Sequence, residues 1–414
     1  MSHIRKIARI FCIHGGIRGI VALLVLTATT VAGAQIAVKS DPSRMLEPPM
    51  ARPDTLTAVS VPAQRKPGLI DRVINYFKET NREPAPGRMD FSFLGGPSYS
   101  SATSLELAVI AAGVYRTGEP ATTPLSELDI FAEGSVTGFY NVGIRGHHSF
   151  PNDRFRINYH ANFCHFPSKF WGVGYAMDVD NNNETEYTLL QSLIRAEFLW
   201  HLPHDVFLGP SVCFDYSKAI KVGNPLTWGD EDRRQTACGV GFILSLDTRD
   251  FPQNATRGVN IKLHQRYFPR FKSDKKGFSI TELTFAWYKR MWRSGVVALQ
   301  FHGAGSTAHT PWSMLPTLDS GKGIRGYYEG RYRDRGELDI TAEVRQHLWG
   351  RNGLVVWGGV GTIFHRFDAI NLRHLLPSVG VGYRWEFKKG VNVRVDIGFG
   401  KHSHEFTLGL NEVF

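Results

Sequence analysis

A chain of 414 residues with 42 glycines, 12% aromatic residues and a formal net charge of +10 can hold two soluble domains or one large all-β domain. Beyond its first 35 residues it has no uninterrupted apolar run of the roughly 18 residues that a spanning helix needs, which excludes a helical membrane protein. The positive excess forms no tract that would suit nucleic acid, and it fits a surface beside anionic lipopolysaccharide or lipid headgroups.

At the amino terminus Arg5, Lys6, Arg9 and Arg18 form a basic region, Ile20 to Leu26 an apolar core, and Ala32, Gly33 and Ala34 a run of small residues before Gln35. That order is an export signal, expected to be removed as residues 1–34. Residues 35–89 follow as a periplasmic segment in which Pro42, Pro48, Pro49, Pro53, Pro62, Pro67, Pro84 and Pro86 block both helix continuation and ladder donation. Within it Leu69, Ile70, Val73, Ile74 and Phe77 recur at helical spacing with Asp71 in the first turn, which predicts a short amphipathic helix over 68–80. Such a helix lies on the membrane surface or the barrel's periplasmic rim, or serves as a plug or docking element.

From Asp90 the period changes to two. Leu338, Ile340, Ala342 and Val344 alternate with Asp339, Thr341, Glu343 and Arg345. Phe155 to Phe163, Val379 to Phe387 and Val391 to Ile397 behave in the same way, one face greasy and the other polar. The segments run nearer ten residues than the five or six usual in a soluble sandwich, and many end in aromatics such as Tyr115, Trp200, Tyr267 and Trp349. Because lipid cannot satisfy an unpaired backbone, strands of this kind must close into a barrel. The fold expected over 90–414 is therefore an all-β transmembrane antiparallel barrel.

About sixteen segments can be counted, the first over 90–98, the fifth over 154–164 and the last over 404–414. With the first strand starting in the periplasm, connections after odd-numbered strands face outside. The longest obey this parity: 165–185, 218–234 and 306–335. In the first strand Gly95, Gly96 and Pro97 would weaken pairing and leave a seam toward the last one, and Gly95-Gly96 reads as an irregularity. After removal of the leader only Cys164, Cys213 and Cys238 remain, an odd number that argues against a disulfide framework. Cys213 and Cys238 would face each other across one hairpin, leaving room for a single bridge.

The longest connection holds Gly323-Ile324-Arg325-Gly326-Tyr327-Tyr328, and the strand after it holds Glu343. In position and sequence this resembles the loop tip of the bacterial surface antigen superfamily, the barrels of BamA and TamA assembly factors and of two-partner secretion transporters. The resemblance covers residues 90–414. It implies a sixteen-stranded barrel with loop 306–335 folded into the lumen, locked through Arg325, Gly326 and Tyr327 on Glu343. Asp247, Arg249, Asp250 and Gly258 resemble the family's turn between strands eight and nine, and Thr407, Gly409 and Phe414 its assembly signal, from which Glu412 departs. Alternation puts Glu343 on the inward face independently, so that a returning loop could bring Arg325 to it as a charge-assisted pair.

Two departures qualify the likeness. Gly359 stands where the family often has a second acid, so another acceptor for Arg325 is missing or comes from elsewhere. Assembly and secretion members also carry periplasmic docking domains, each longer than the whole of 35–89. The function expected is insertion, assembly or translocation of outer-membrane or secreted proteins, with unfolded barrel clients or periplasmic and outer-membrane proteins as partners, in the bacterial outer membrane. A passive porin or an accessory subunit of a larger complex is the alternative. His147, His148, His160 and His347 lie near serines without a defensible triad, and neither a paired metal motif nor a phosphate loop is present, so no enzyme, cofactor or metal is expected.

Overall fold

The computed structural model describes residues 89–414 apart from 101–103, 230, 272–275, 319–320 and 389–390. The expected leader over 1–34, the helix over 68–80 and all but the last residue of the 35–89 segment lie outside these residues.

Sixteen strands follow one another: β1 (Asp90–Ser100), β2 (Ser104–Tyr115), β3 (Ser126–Ser135), β4 (Tyr140–Ser149), β5 (Phe155–Phe170), β6 (Thr185–Leu202), β7 (Val206–Ile220) and β8 (Arg234–Asp247). The second half comprises β9 (Gly258–Phe268), β10 (Phe278–Trp292), β11 (Gly295–Ser306), β12 (Gly336–Trp349), β13 (Asn352–Phe364), β14 (Leu376–Lys388), β15 (Val391–Gly400) and β16 (Ser403–Leu410). Each is antiparallel to its neighbours in one sheet ordered as the chain. The sheet wraps round, because the residues after β16 reach β3 and β10: Asn411 Nδ2 donates to Glu127 at 3.3 Å, and the Phe414 ring lies 6.4 Å from that of Tyr288. Among the described residues no ladder joins β1 to β16.

Burial along the strands is inverted relative to a soluble protein. On β12 Ile340 and Val344 are 42% and 41% exposed while Thr341, Glu343 and Arg345 are 0%, 1% and 7% exposed. Outward-facing Val356, Val381, Phe399, Phe406 and Leu408 are likewise exposed, and Asp129, Asp215, Gln300, Arg384 and Asp396 are buried within. Among the described residues no globular core collects the apolar face, which is left for hydrocarbon to cover, as in a transmembrane barrel.

Connections after even-numbered strands are mostly tight. The β6–β7 hairpin turns through His204 and Asp205, both at positive φ (66° and 58°), the geometry whose twist matches paired strands. The four longest connections follow odd-numbered strands, at 171–184, 221–233, 307–335 and 365–375.

Four details differ from the sequence reading. β5 does not stop at 164 but continues to Phe170, with Pro167 opposite Thr188 and Phe170 opposite Thr185. The extended hairpin carries Phe170 and Tyr187 into a buried cluster with Trp228 and Trp312, and that packing overrides proline's poor ladder propensity. β16 ends at Leu410, because Asn411 adopts φ 61° and turns the last residues inward. The β1–β2 register is unbroken through Gly95 and Gly96. Cys213 lies opposite Gly239 and Cys238 opposite Phe214, which sends the two thiols to opposite faces. All three cysteines are free, and the bridge does not form.

Candidate functional site

Residues 307–335 turn back into the barrel, and their tip is held on the wall made by β12 to β16. The Arg325 guanidinium, 1% exposed, donates through Nη2 to Glu343 and through Nη1 to Asp396 Oδ2 at 3.0 Å. Its central carbon lies 3.6 Å from the centroid of the Trp357 ring, so the cation meets two carboxylates at its edge and a π face below. Asp396, on the inward face of β15, supplies the acceptor for which β13 has only Gly359. A Cβ at Gly359 would meet Thr341 Oγ1 at 2.7 Å and Ile324 Cδ1 at 3.2 Å, so glycine there makes room for the loop.

Beyond the tip arginine the chain lies flat on β15. Gly326 has φ 103°, and a Cβ on it would stand 2.7 Å from the Phe399 carbonyl carbon. The facing Gly398 is equally constrained, its Cβ position being 2.7 Å from the Gly326 nitrogen. Gly326 N donates to Glu405 at 3.2 Å, Ser403 Oγ donates to Gly326 O at 2.6 Å, and Ser378 Oγ donates to Arg325 O at 2.5 Å. The Tyr327 hydroxyl donates to Pro377 O at 2.6 Å and accepts from Lys401 N at 2.8 Å; burial pushes it up to about 12. Three of the backbone groups a returning loop must satisfy are thereby paired, Gly326 N, Gly326 O and Arg325 O.

The pair belongs to a larger buried ion network. Arg345 Nε donates to Glu343 Oε2 at 3.0 Å, Arg384 Nη1 to Asp396 Oδ1 at 2.5 Å, and Arg384 Nε to Glu412 Oε2 at 2.8 Å. Glu412, where the assembly signal usually has an apolar residue, is inside the lumen as the partner of Arg384. Phe414 follows it inward: Arg345 Nη2 donates to Phe414 O at 2.7 Å, and the guanidinium lies 5.4 Å from the Phe414 ring. Thr407 and Gly409 remain on β16. Sequence reasoning singled out Arg325 and Glu343 but not Asp396, Arg384, Arg345 or Trp357. The signal available was their position on the polar face of β12 to β15, whereas their meeting depends on register across several strands.

Nearer the long-loop end, a second set of contacts binds the loop to its neighbours. Short helix α1 (Tyr175–Asp178) lies in the 171–184 connection, where Asp178 Oδ2 accepts from Arg333 N at 2.9 Å and Gly174 N donates to Arg333 O at 2.9 Å. Arg331 Nη2 donates to Asn181 at 2.7 Å, and the Tyr175 ring stacks on His374 from the 365–375 connection at 4.0 Å. Burial raises the Asp178 carboxyl to about 8 against its hydrogen bond from Arg333. Three long connections therefore pack over the barrel's end.

The turn between β8 and β9 closes on itself. Arg249 grips Asp247 with Nε and Nη2 at 2.8 and 2.9 Å, and Asp250 accepts from Thr256 N at 2.8 Å and Phe251 N at 3.0 Å. Although burial opposes it, hydrogen bonds from Thr256 hold the Asp250 carboxyl below its ordinary value. Gly258 has φ 110°, and its Cβ position is 2.4 Å from Thr248 O. A cavity of about 390 Å³ remains at this end, lined among others by Glu127, His147, Arg156, Lys262 and Phe414. Gly95, Gly96 and Pro97 sit mid-strand on β1, opposite Val109, Ala108 and Leu107 of β2.

No protein-family model matches the chain, and no curated protein matches it. Among solved structures it is similar to BamA from Haemophilus ducreyi lacking POTRA domains 1–3, at 11% identity and TM-score 0.49, covering 78% of this chain and 69% of that one. It is similar also to CdiB from Acinetobacter baumannii, at 9% identity and TM-score 0.47 over 83% of this chain and 67% of that one. For CdiB from Escherichia coli the values are 10% identity and 0.47 over 82% and 69%.

Proposed function

We propose that this chain is an outer-membrane barrel of the assembly and translocation type, acting in the insertion of outer-membrane proteins or the passage of secreted ones. The observation that carries this reading is the returned loop. A diffusion pore needs an open lumen, whereas here Arg325 is sealed in midbarrel between Glu343 and Asp396 and the tip chain is laid along β15. A buried ion pair is a poor way to gain stability but a good way to fix one arrangement, so the network's role is to hold the loop in register. The lack of a ladder between β1 and β16 among the described residues supports a wall that can admit a client strand by edge pairing. The loop motif resembles that of the assembly and secretion barrels, and their client classes, unfolded barrel proteins or exported chains, are the ones proposed here. Lipid and lipopolysaccharide surround the apolar belt.

The test is reconstitution. Purified chain in liposomes should speed the folding of an unfolded barrel client, read as the heat-modifiable gel shift, and should show only small, intermittent conductance. Steady large currents with no acceleration of client folding would establish the passive pore instead.

A further inference from the structure

Above the tip network, on the same inner wall, β11 and β12 bring three metal-ligating side chains together. His302 lies directly opposite Asp339 in the ladder, and Glu337, two residues along β12, returns to the same face. His302 Nδ1 is 3.1 Å from Glu337 Oε1 and 3.5 Å from Asp339 Oδ2, and one ligand atom of each residue falls within 4.8 Å of the other two. The side chains are 5%, 1% and 3% exposed for His302, Glu337 and Asp339. Because the donors come from two strands, no local sequence motif announces them.

Apart from the His302 ion pairs at 3.1 and 3.5 Å, these atoms make no well-aligned hydrogen bond. His302 Nδ1, both Glu337 oxygens and Asp339 Oδ1 are buried without a hydrogen-bond partner, although two carboxylates out of water demand one. A protonated His302 has a single N–H at Nδ1 and cannot satisfy both acids. Lys322 Nζ stands 3.8 Å from Glu337 and equally 3.8 Å from Glu282, and its side chain is 34% exposed. A divalent cation among the three would neutralise both carboxylates and take the imidazole lone pair. Ligands about 2.0–2.2 Å from one ion lie no more than about 4.4 Å apart; the two separations from His302, 3.1 and 3.5 Å, meet that limit, and the Glu337 and Asp339 oxygens lie within 4.8 Å of each other.

We infer that His302, Glu337 and Asp339 form a site for one first-row divalent cation, with Zn²⁺ the best match to one nitrogen and two carboxylates and Ca²⁺, which prefers oxygen alone, disfavoured. The cation clamps the returning loop. Gln300 Nε2, inward-facing on β11 beside His302, donates to Lys322 O, and a Cβ on Gly323 would stand 3.4 Å from Asp339 Oδ1. The loop therefore passes directly over the site. An ion there repels the Lys322 ammonium toward Glu282 and ties the wall beneath the loop to a single geometry.

The experiment uses tag-free chain folded in detergent from metal-free buffer, titrated with zinc chloride by calorimetry and assayed for bound metal after gel filtration. Expected are one zinc per chain, retained against excess manganese or calcium, and an unfolding temperature that rises with free zinc. His302→Gln and Asp339→Asn should each weaken binding by about tenfold or more. Wild-type chain that retains no zinc, or His302→Gln chain that retains it undiminished, would overturn the site. If the variants do not fold, the wild-type metal content and thermal shift decide alone. These readouts are independent of client insertion.

Discussion

At the scale of single residues, Arg325 concentrates the consequences of the returned loop. It is shared between Glu343 and Asp396, and each acid keeps a second arginine, Arg345 and Arg384 respectively. Truncation therefore leaves neither carboxylate wholly alone, and Arg325→Ala should cost about 3 kcal/mol, the lower end for breaking a buried pair. The midpoint of urea unfolding in detergent micelles measures this. Arg325→Lys should recover only part of the loss, because an ammonium cannot span both acids while lying flat on Trp357. An unchanged midpoint for Arg325→Ala would mean that the loop is held by its backbone contacts instead.

At the scale of elements, the strands were legible from their own residues, and the loops only where the Arg325 motif marked one. Alternation along Leu338 to Arg345 or Val391 to Ile397 reports which face a side chain takes, since the period of a strand is two whatever surrounds it. It does not report where packing outweighs propensity. The fifth segment, expected over 154–164, runs on through Pro167 to Phe170 in β5, because the Phe170 and Tyr187 cluster extends the hairpin. Asn411 looked like strand and is a left-handed turn. Among the tip contacts, Asp396 was visible only as one polar residue among several, since its meeting with Arg325 joins the 307–335 connection to β15. The contact between α1 and the 307–335 connection was invisible for the same reason, and it carries a pH dependence. The Asp178 carboxyl, ordinarily near 3.8, is raised by burial to about 8. A raised acid favours the docked form fully only below its free value. Docking should therefore weaken as pH climbs from about 4 through about 8. Protection factors at 175–178 and 331–333, taken against the intrinsic exchange rate at each pH, should fall over that interval, and Asp178→Asn should abolish the trend. Protection factors independent of pH in the wild type would contradict the buried carboxyl.

At the scale of the whole molecule, the inverted burial makes a demand that no soluble fold shares. Val356 on β13 is 51% exposed and flanked by buried Val355 and Trp357, whose side chains point into the lumen. On the outer wall an arginine at 356 would stand in hydrocarbon, costing about 2–4 kcal/mol at midplane depth and progressively less toward either rim. On a water-facing surface the same change would cost at most about 0.5 kcal/mol. A series of single arginines at Leu354, Val356 and Val360 along β13, compared by urea midpoint in lipid vesicles and again in detergent micelles, therefore reads the bilayer's position directly. The penalty should peak within the strand and shrink in micelles, where the headgroups can rearrange around the charge. A flat and small penalty in vesicles would show that the apolar belt faces something other than lipid, and the barrel would then have to be covered by a protein partner along its whole outer wall.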